Sequence, residues 1–207
     1  MKKILFILIV ISLFSLKTTT LASGELAVNS KSACLIEAST QRIIYEKNPT
    51  QKLPPASMTK IMTLTLVMEA LDQGKITLND LVTTPEIAVG VEGTTIFLDF
   101  NEQMSVDHLL KAVAINSAND AAISFAVYIG GSLDNFIKMM NDKAKELKLE
   151  NTNFVNPTGL DTANHYSCAR DMAIMGANLI NKHPKILEYT SVYEDYVREN
   201  DPENVPG

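Results

Sequence analysis

The sequence predicts an α+β fold, and three observations carry the prediction. Two short strand-like runs, Ser32 to Ala38 and Arg42 to Lys47, flank Ser39-Thr40-Gln41 and read as a hairpin. The chain after them is punctuated as helices, with Ser105, Ser132 and Ser167 as candidate N-caps and Gly74, Gly130-Gly131 and Pro184 as stops. Between the two lies a helical stretch, Ser57 to Gln73, in which Ile61, Met62, Leu64, Leu66, Val67, Met68 and Leu71 cover nearly every face. A helix apolar all round is a buried one.

Taken in order, the hairpin comes first, and two strands alone are marginal in water, so it requires further cover. The buried helix follows Pro54-Pro55-Ala56. Thr77 to Thr95 is turn-rich and reads as short strands and loops. Helices are then predicted from Ser105 to Ala114, from Asp120 to Ile129 and from Ser132 to Leu147. Asn156-Pro157-Thr158-Gly159 is a turn signal, a helix capped by Ser167 runs to Lys182, and Tyr189 to Arg198 reads as the start of another strand.

The first 23 residues read as an export signal, with Lys2 and Lys3 ahead of an apolar run from Ile4 to Leu16 and a small-residue end at Leu21-Ala22-Ser23. The run is shorter than the roughly 20 residues of a membrane span. Removing it takes away Lys2, Lys3 and Lys17 and no acid, which leaves 15 basic against 24 acidic residues, a net charge of −9. Such an acidic chain is a poor partner for nucleic acid. Its arginines are Arg42, Arg170 and Arg198, and Lys138, Lys143, Lys145 and Lys148 fit the solvated face of a helix. His108, His165 and His183 lack metal-ligand spacing, so no metal is expected. Cys34 and Cys168 are expected to remain unpaired thiols, although export would permit a disulfide.

The chemistry-bearing motif is Ser57-Met58-Thr59-Lys60. Residues three apart share a helical face, so the amine of Lys60 can reach the Ser57 hydroxyl and take its proton. Ser57 falls in the first turn, where free backbone N–H groups and the positive end of the helix dipole favour charge developing on an attacked carbonyl. Ser-x-x-Lys alone would arise about once by chance in a chain of this composition, so the surroundings decide.

Those surroundings are "YEKNPTQKLPPASMTKIMT", "VDHLLKAVAINSANDAA", "LENTNFVNPTGLD" and "NHYSCARDMA". In this order they resemble the serine D-alanyl-D-alanine carboxypeptidases, the low-molecular-mass penicillin-binding proteins. The resemblance implies a β-lactamase/transpeptidase-like fold, with helices packed on an antiparallel sheet, and assigns residues 24–207 to the N-terminal part of its catalytic domain. It implies that Ser57 is the nucleophile, Lys60 the general base, Ser117 a proton relay and Asn119 a substrate-binding residue. The implied partners are peptidoglycan stem peptides ending in D-Ala-D-Ala and β-lactam antibiotics, with no cofactor and an extracytoplasmic location. Arg170 is expected to form a structural ion pair and His165 to be a loop hydrogen-bonder.

Enzymes with these motifs carry a Lys-Thr-Gly strand on the far wall of the cleft, and no Lys-Thr-Gly follows Ser117 here. The fold is therefore expected to be incomplete at the C-terminus, and any membrane-surface association would rest on a region outside this sequence. A class A β-lactamase is disfavoured by Ser117-Ala118-Asn119 and by the lack of Glu-x-x-Leu-Asn near Asn151 to Leu160. The other alternative is a truncated, catalytically impaired relative with a binding role or no independent one.

Overall fold

The computed structural model describes residues 26–198, so the expected signal at 1–23 and the residues after Arg198 lie outside the described residues. Residues 26–30 belong to a separate unit and form a turn in which Ser30 N donates to Ala27 O at 3.0 Å. The rest, from Lys31 on, is one unit.

Strands β1 (Ala33–Ile36) and β2 (Ile43–Lys47) pair antiparallel, with a bulge between Leu35 and Ile36. The connecting turn is drawn in by the Glu37 carboxylate, which accepts from the hydroxyls of Ser39 and Thr40. A single 3-10 turn (Ala56–Thr59) leads into α1 (Lys60–Asp72). Strands β3 (Leu81–Thr83) and β4 (Gln103–Ser105) make a second antiparallel pair. Helices α2 (Val106–Ile115), α3 (Asn119–Gly130), α4 (Leu133–Glu146), α5 (Ala169–Lys182) and the short α6 (Leu187–Thr190) complete the order.

The caps follow their chemistry. Ser105 accepts from His108 N and Ser132 from Asn135 N, both at 3.2 Å, each satisfying an amide that the helix leaves unpaired. Gly131 takes a left-handed φ of 72° and ends α3.

Helix α1 lies between two cores, which explains why it is apolar all round. Leu64, Val67 and Met68 join Leu109, Leu110 and Phe125 in one. Met62 and Leu66 join Phe136, Met140, Phe154 and Met175 in the other. Helix α5 packs on β1 and ties the hairpin to this body through Arg170, which donates to Glu46 at 2.8 Å.

Three expectations need correction. Cys168, not Ser167, is the N-cap of α5, because the Ser167 hydroxyl is engaged with Thr152 Oγ1 at 2.8 Å. Tyr189 lies in α6 rather than a strand, its ring buried and its hydroxyl donating to Asp107 at 2.7 Å. Residues 191–198 form no strand. The lysines of α4 are not uniformly solvated: Lys143 folds inward to meet Glu69 of α1 at 2.7 Å, while Lys138 and Lys145 stay exposed. Cys34 and Cys168 are free thiols, as expected.

Candidate active site

Ser57 sits in the 3-10 turn ahead of α1 and is exposed, whereas Lys60, one turn on, is buried with 3% of its surface accessible. The Lys60 Nζ lies 3.3 Å from Ser57 Oγ and donates to Thr158 O at 2.8 Å. Burial pushes the Lys60 amine down from 10.5 to about 8, because the charged form loses hydration that one carbonyl and one hydroxyl do not replace. A neutral amine next to a serine hydroxyl can accept its proton.

This pair is braced by the segment from Val155 to His165. Asn156 Oδ1 accepts from Thr158 N at 3.1 Å and Gly159 N at 2.7 Å, folding Asn156-Pro157-Thr158-Gly159 into a tight turn. The turn presents its carbonyls to α1: Pro157 O accepts from Thr63 Oγ1 at 2.7 Å and Thr158 O from Lys60. Gly159 has φ +90°, and a Cβ there would stand 1.8 Å from Ala56 O and 3.0 Å from Ser57 N. Only glycine permits that approach. His165 spans the segment, with Nε2 at 2.8 Å from Thr59 Oγ1 and Nδ1 accepting from Val155 N at 3.1 Å.

A second loop braces the start of α3. Asn119 N donates to Thr94 O at 2.7 Å, and its side-chain Nδ2 donates to Glu92 O at 2.6 Å. Gly93 lies so close beneath that a Cβ would meet Asn119 Nδ2 at 2.7 Å. The buried Asp120 carboxylate accepts from Ile96 N at 3.1 Å, Leu98 N at 3.0 Å and Ala121 N at 2.9 Å. Ser117 is half-buried with φ +59°, and Ala56, just ahead of Ser57, has φ +49°. Left-handed backbone at non-glycine residues is costly, and such positions concentrate at functional sites.

The structure thus brings Ser57 and Lys60 together. Among the described residues neither Ser117 nor Asn119 hydrogen-bonds to either of them. Sequence reasoning missed the bracing roles of Gly159, Gly93 and His165. For Gly159 a signal existed in the Asn-Pro-Thr-Gly turn, where a final glycine marks a left-handed position. His165 is the loop hydrogen-bonder expected, but its bracing partner Thr59, 106 residues away, had no sequence signal.

Residues 18–205 match the family described as D-alanyl-D-alanine carboxypeptidase. The chain is 53% identical over 178 residues to D-alanyl-D-alanine carboxypeptidase DacF of Bacillus subtilis, covering 86% of this chain and 46% of that protein. Against DacA of Haemophilus influenzae the identity is 42%, covering 76% of this chain and 41% of that protein. The chain therefore spans less than half the length of these two relatives. Among solved structures, the D-alanyl-D-alanine carboxypeptidase DacD from Francisella tularensis superposes with a TM-score of 0.77 at 31% identity, covering 79% of this chain and 40% of that one. Penicillin-binding protein D2 from Listeria monocytogenes in its ampicillin-bound form gives 0.72 at 30% identity, covering 81% and 68%. With these neighbours the fold is β-lactamase-like. The chain belongs to the D-alanyl-D-alanine carboxypeptidase family.

Proposed function

We propose that this chain carries the nucleophile of a serine-type D-Ala-D-Ala carboxypeptidase that trims peptidoglycan stem peptides through an acyl-enzyme on Ser57. The observation that carries the reading is the buried Lys60 amine, lowered to about 8 and 3.3 Å from Ser57 Oγ. In this reading Ser57 Oγ attacks the carbonyl joining the last two D-alanines while its proton passes to Lys60. Ser117 relays that proton to the leaving amine, so D-alanine departs and the stem remains as an ester on Ser57. Water then cleaves the ester and restores the hydroxyl.

Asn119 takes the role of a substrate-binding residue. One amide hydrogen donates to Glu92 O, which fixes the side chain and leaves its carbonyl oxygen to accept from a ligand N–H. The Ser57 N–H supplies one oxyanion donor, and in the family pattern a second comes from the strand that carries Lys-Thr-Gly. One such donor is worth about a hundred- to a thousandfold in rate.

A β-lactam acylates the same serine in this reading, since its strained amide imitates the dipeptide; the ampicillin-bound relative supports β-lactam binding. The chemistry requires no metal or organic cofactor, and the acidic surface disfavours nucleic acid. The substrate class and the signal-like residues 1–23 support an exported protein acting on the extracytoplasmic side. Membrane-surface association would come from a region outside this sequence; no helix among the described residues is long and apolar enough to cross a membrane.

The test is reaction with a fluorescent penicillin followed by peptide mapping in a mass spectrometer. The adduct is expected on Ser57, and an adduct on Ser117 or any other serine would overturn the assignment. A cooperatively folded chain that takes no label would favour the binding-only alternative.

A further inference from the structure

The His165 imidazole lies outside the chemistry assigned above, yet it is 4% exposed and joins the two halves of the brace. We propose that His165 is a positioning residue for the Ser57–Lys60 pair, clamping Thr59 between them to the segment that holds both, and that it does so only as the neutral imidazole. The inference rests on the proposed roles of Ser57 and Lys60.

The tautomer follows from the partners. Val155 N is a backbone donor and points at Nδ1 from 3.1 Å, so Nδ1 bears no proton. A neutral ring then carries its hydrogen on Nε2, which donates to the fully buried Thr59 Oγ1 at 2.8 Å. One nitrogen thereby closes residues 155–165 on themselves, and the other fastens that loop to the turn bearing Ser57. Inside the loop lie the Thr158 carbonyl that takes the Lys60 amine and the Gly159 backbone that abuts Ser57 N.

A second proton on the ring would set an N–H against the Val155 N–H and break the closure. One charged group acts on the ring, the Asp161 carboxylate from its own loop, which favours the imidazolium. Phe154 packs at 6.0 Å on the remaining side. Burial outweighs Asp161 and holds the ring below its ordinary value of 6.5, so the neutral form prevails at neutral pH. Because no ring atom touches Ser57 Oγ or Lys60 Nζ, the effect is exerted through Thr59 and the strap.

The test uses the full chain labelled with 13C at lysine Cε and 15N in histidine, so it needs no penicillin reaction. In the wild type the 15N shifts are expected to place the proton on Nε2, and the Lys60 carbon to respond both near pH 8 and where His165 titrates. His165→Ala should return Lys60 toward 10.5 as water reaches the amine, whereas His165→Gln, which can still donate to Thr59, should retain most of the depression. Wherever the wild type takes penicillin, His165→Ala should slow labelling about ten- to a hundredfold, with His165→Gln recovering most of it. A proton on Nδ1 would overturn the proposal, as would a Lys60 titration unchanged in a cooperatively melting His165→Ala chain. If that variant fails to fold, a wild-type Lys60 signal blind to the His165 titration overturns it equally. A wild type that shows the coupling but no penicillin label would instead remove the carboxypeptidase reading while leaving the clamp in place.

Discussion

Ser57 and Lys60 are held by residues 155–165 through backbone carbonyls, a glycine contact and an imidazole, whereas Asn119 and Asp120, just after Ser117, are held by residues 92–98 through the Asp120 carboxylate and the Asn119 side-chain amide and backbone N–H. The first brace touches the reacting atoms, since Thr158 O bonds the same Nζ that faces Ser57. The second stops short of them and fixes the Asn119 side chain and the backbone at the start of α3. Loosening the first should therefore alter proton affinity and rate together. Loosening the second should lower stability first, and rate through misplacement.

The largest expected effect is Ser57→Ala, which removes acylation in labelled-penicillin assays, a loss of up to about a millionfold in a serine hydrolase. Lys60→Met should slow labelling by roughly a hundred- to ten-thousandfold, and Lys60→Arg should not rescue it, because a guanidinium stays protonated. Near-normal labelling by Lys60→Arg would refute the base role. Labelling by the wild type should rise about tenfold per pH unit up to about pH 8 and then level, following the neutral fraction of Lys60.

Lys60 also predicts a stability effect of defined sign. Its amine titrates near 8 when folded and near 10.5 when unfolded, so the unfolded chain binds more protons between those values. Stability should rise with pH across that window, and the burial penalty is fully present below pH 8. Lys60→Met should consequently stabilise the fold at neutral pH, by up to about 3 kcal/mol, while destroying the base. A thermal melt of the two proteins at pH 7 and pH 10 checks it.

On the other brace, Asp120→Ala strands the Ile96 and Leu98 amides and should cost about 1–3 kcal/mol for each, read as a lowered denaturation midpoint with Lys60 still titrating near 8. Gly159→Ala should cost about 1–3 kcal/mol from the left-handed backbone alone and more from pushing the Ala56 backbone aside, and unlike Asp120→Ala it should markedly slow acylation as the turn withdraws from Ser57. The smallest effect belongs to the half-exposed Arg170–Glu46 pair, where Arg170→Gln should leave the melting temperature within about 3 °C.

Elements whose signals are local were legible in the sequence. Ser105 and Ser132 announce their helices because a cap needs only the next three residues, and the all-round apolar α1 could be placed only between two cores. The Ser57–Lys60 contact was legible for the same reason, being a one-turn relation. Ser167 misled because its hydroxyl had a rival partner in Thr152, distant in sequence, and α6 was misread because Tyr189 gains its place from Asp107 across the fold. The braces were invisible because hydrogen bonds between Thr59 and His165, or Asn119 and Glu92, leave no periodic trace.

Nine of the thirteen residues of α1 are buried, and its two sides serve different cores. The helix that presents the serine therefore has almost no surface on which substitutions can accumulate without disturbing packing. Adaptation to a different peptide or antibiotic would have to be written at the exposed positions of the loops around residues 92–98 and 155–165, among them Glu92, Phe97, Asp161 and Thr162, where side chains change at little cost to the interior. A directed-evolution experiment selecting for altered β-lactam sensitivity should accordingly fill those two loops with changes and leave the helix almost untouched.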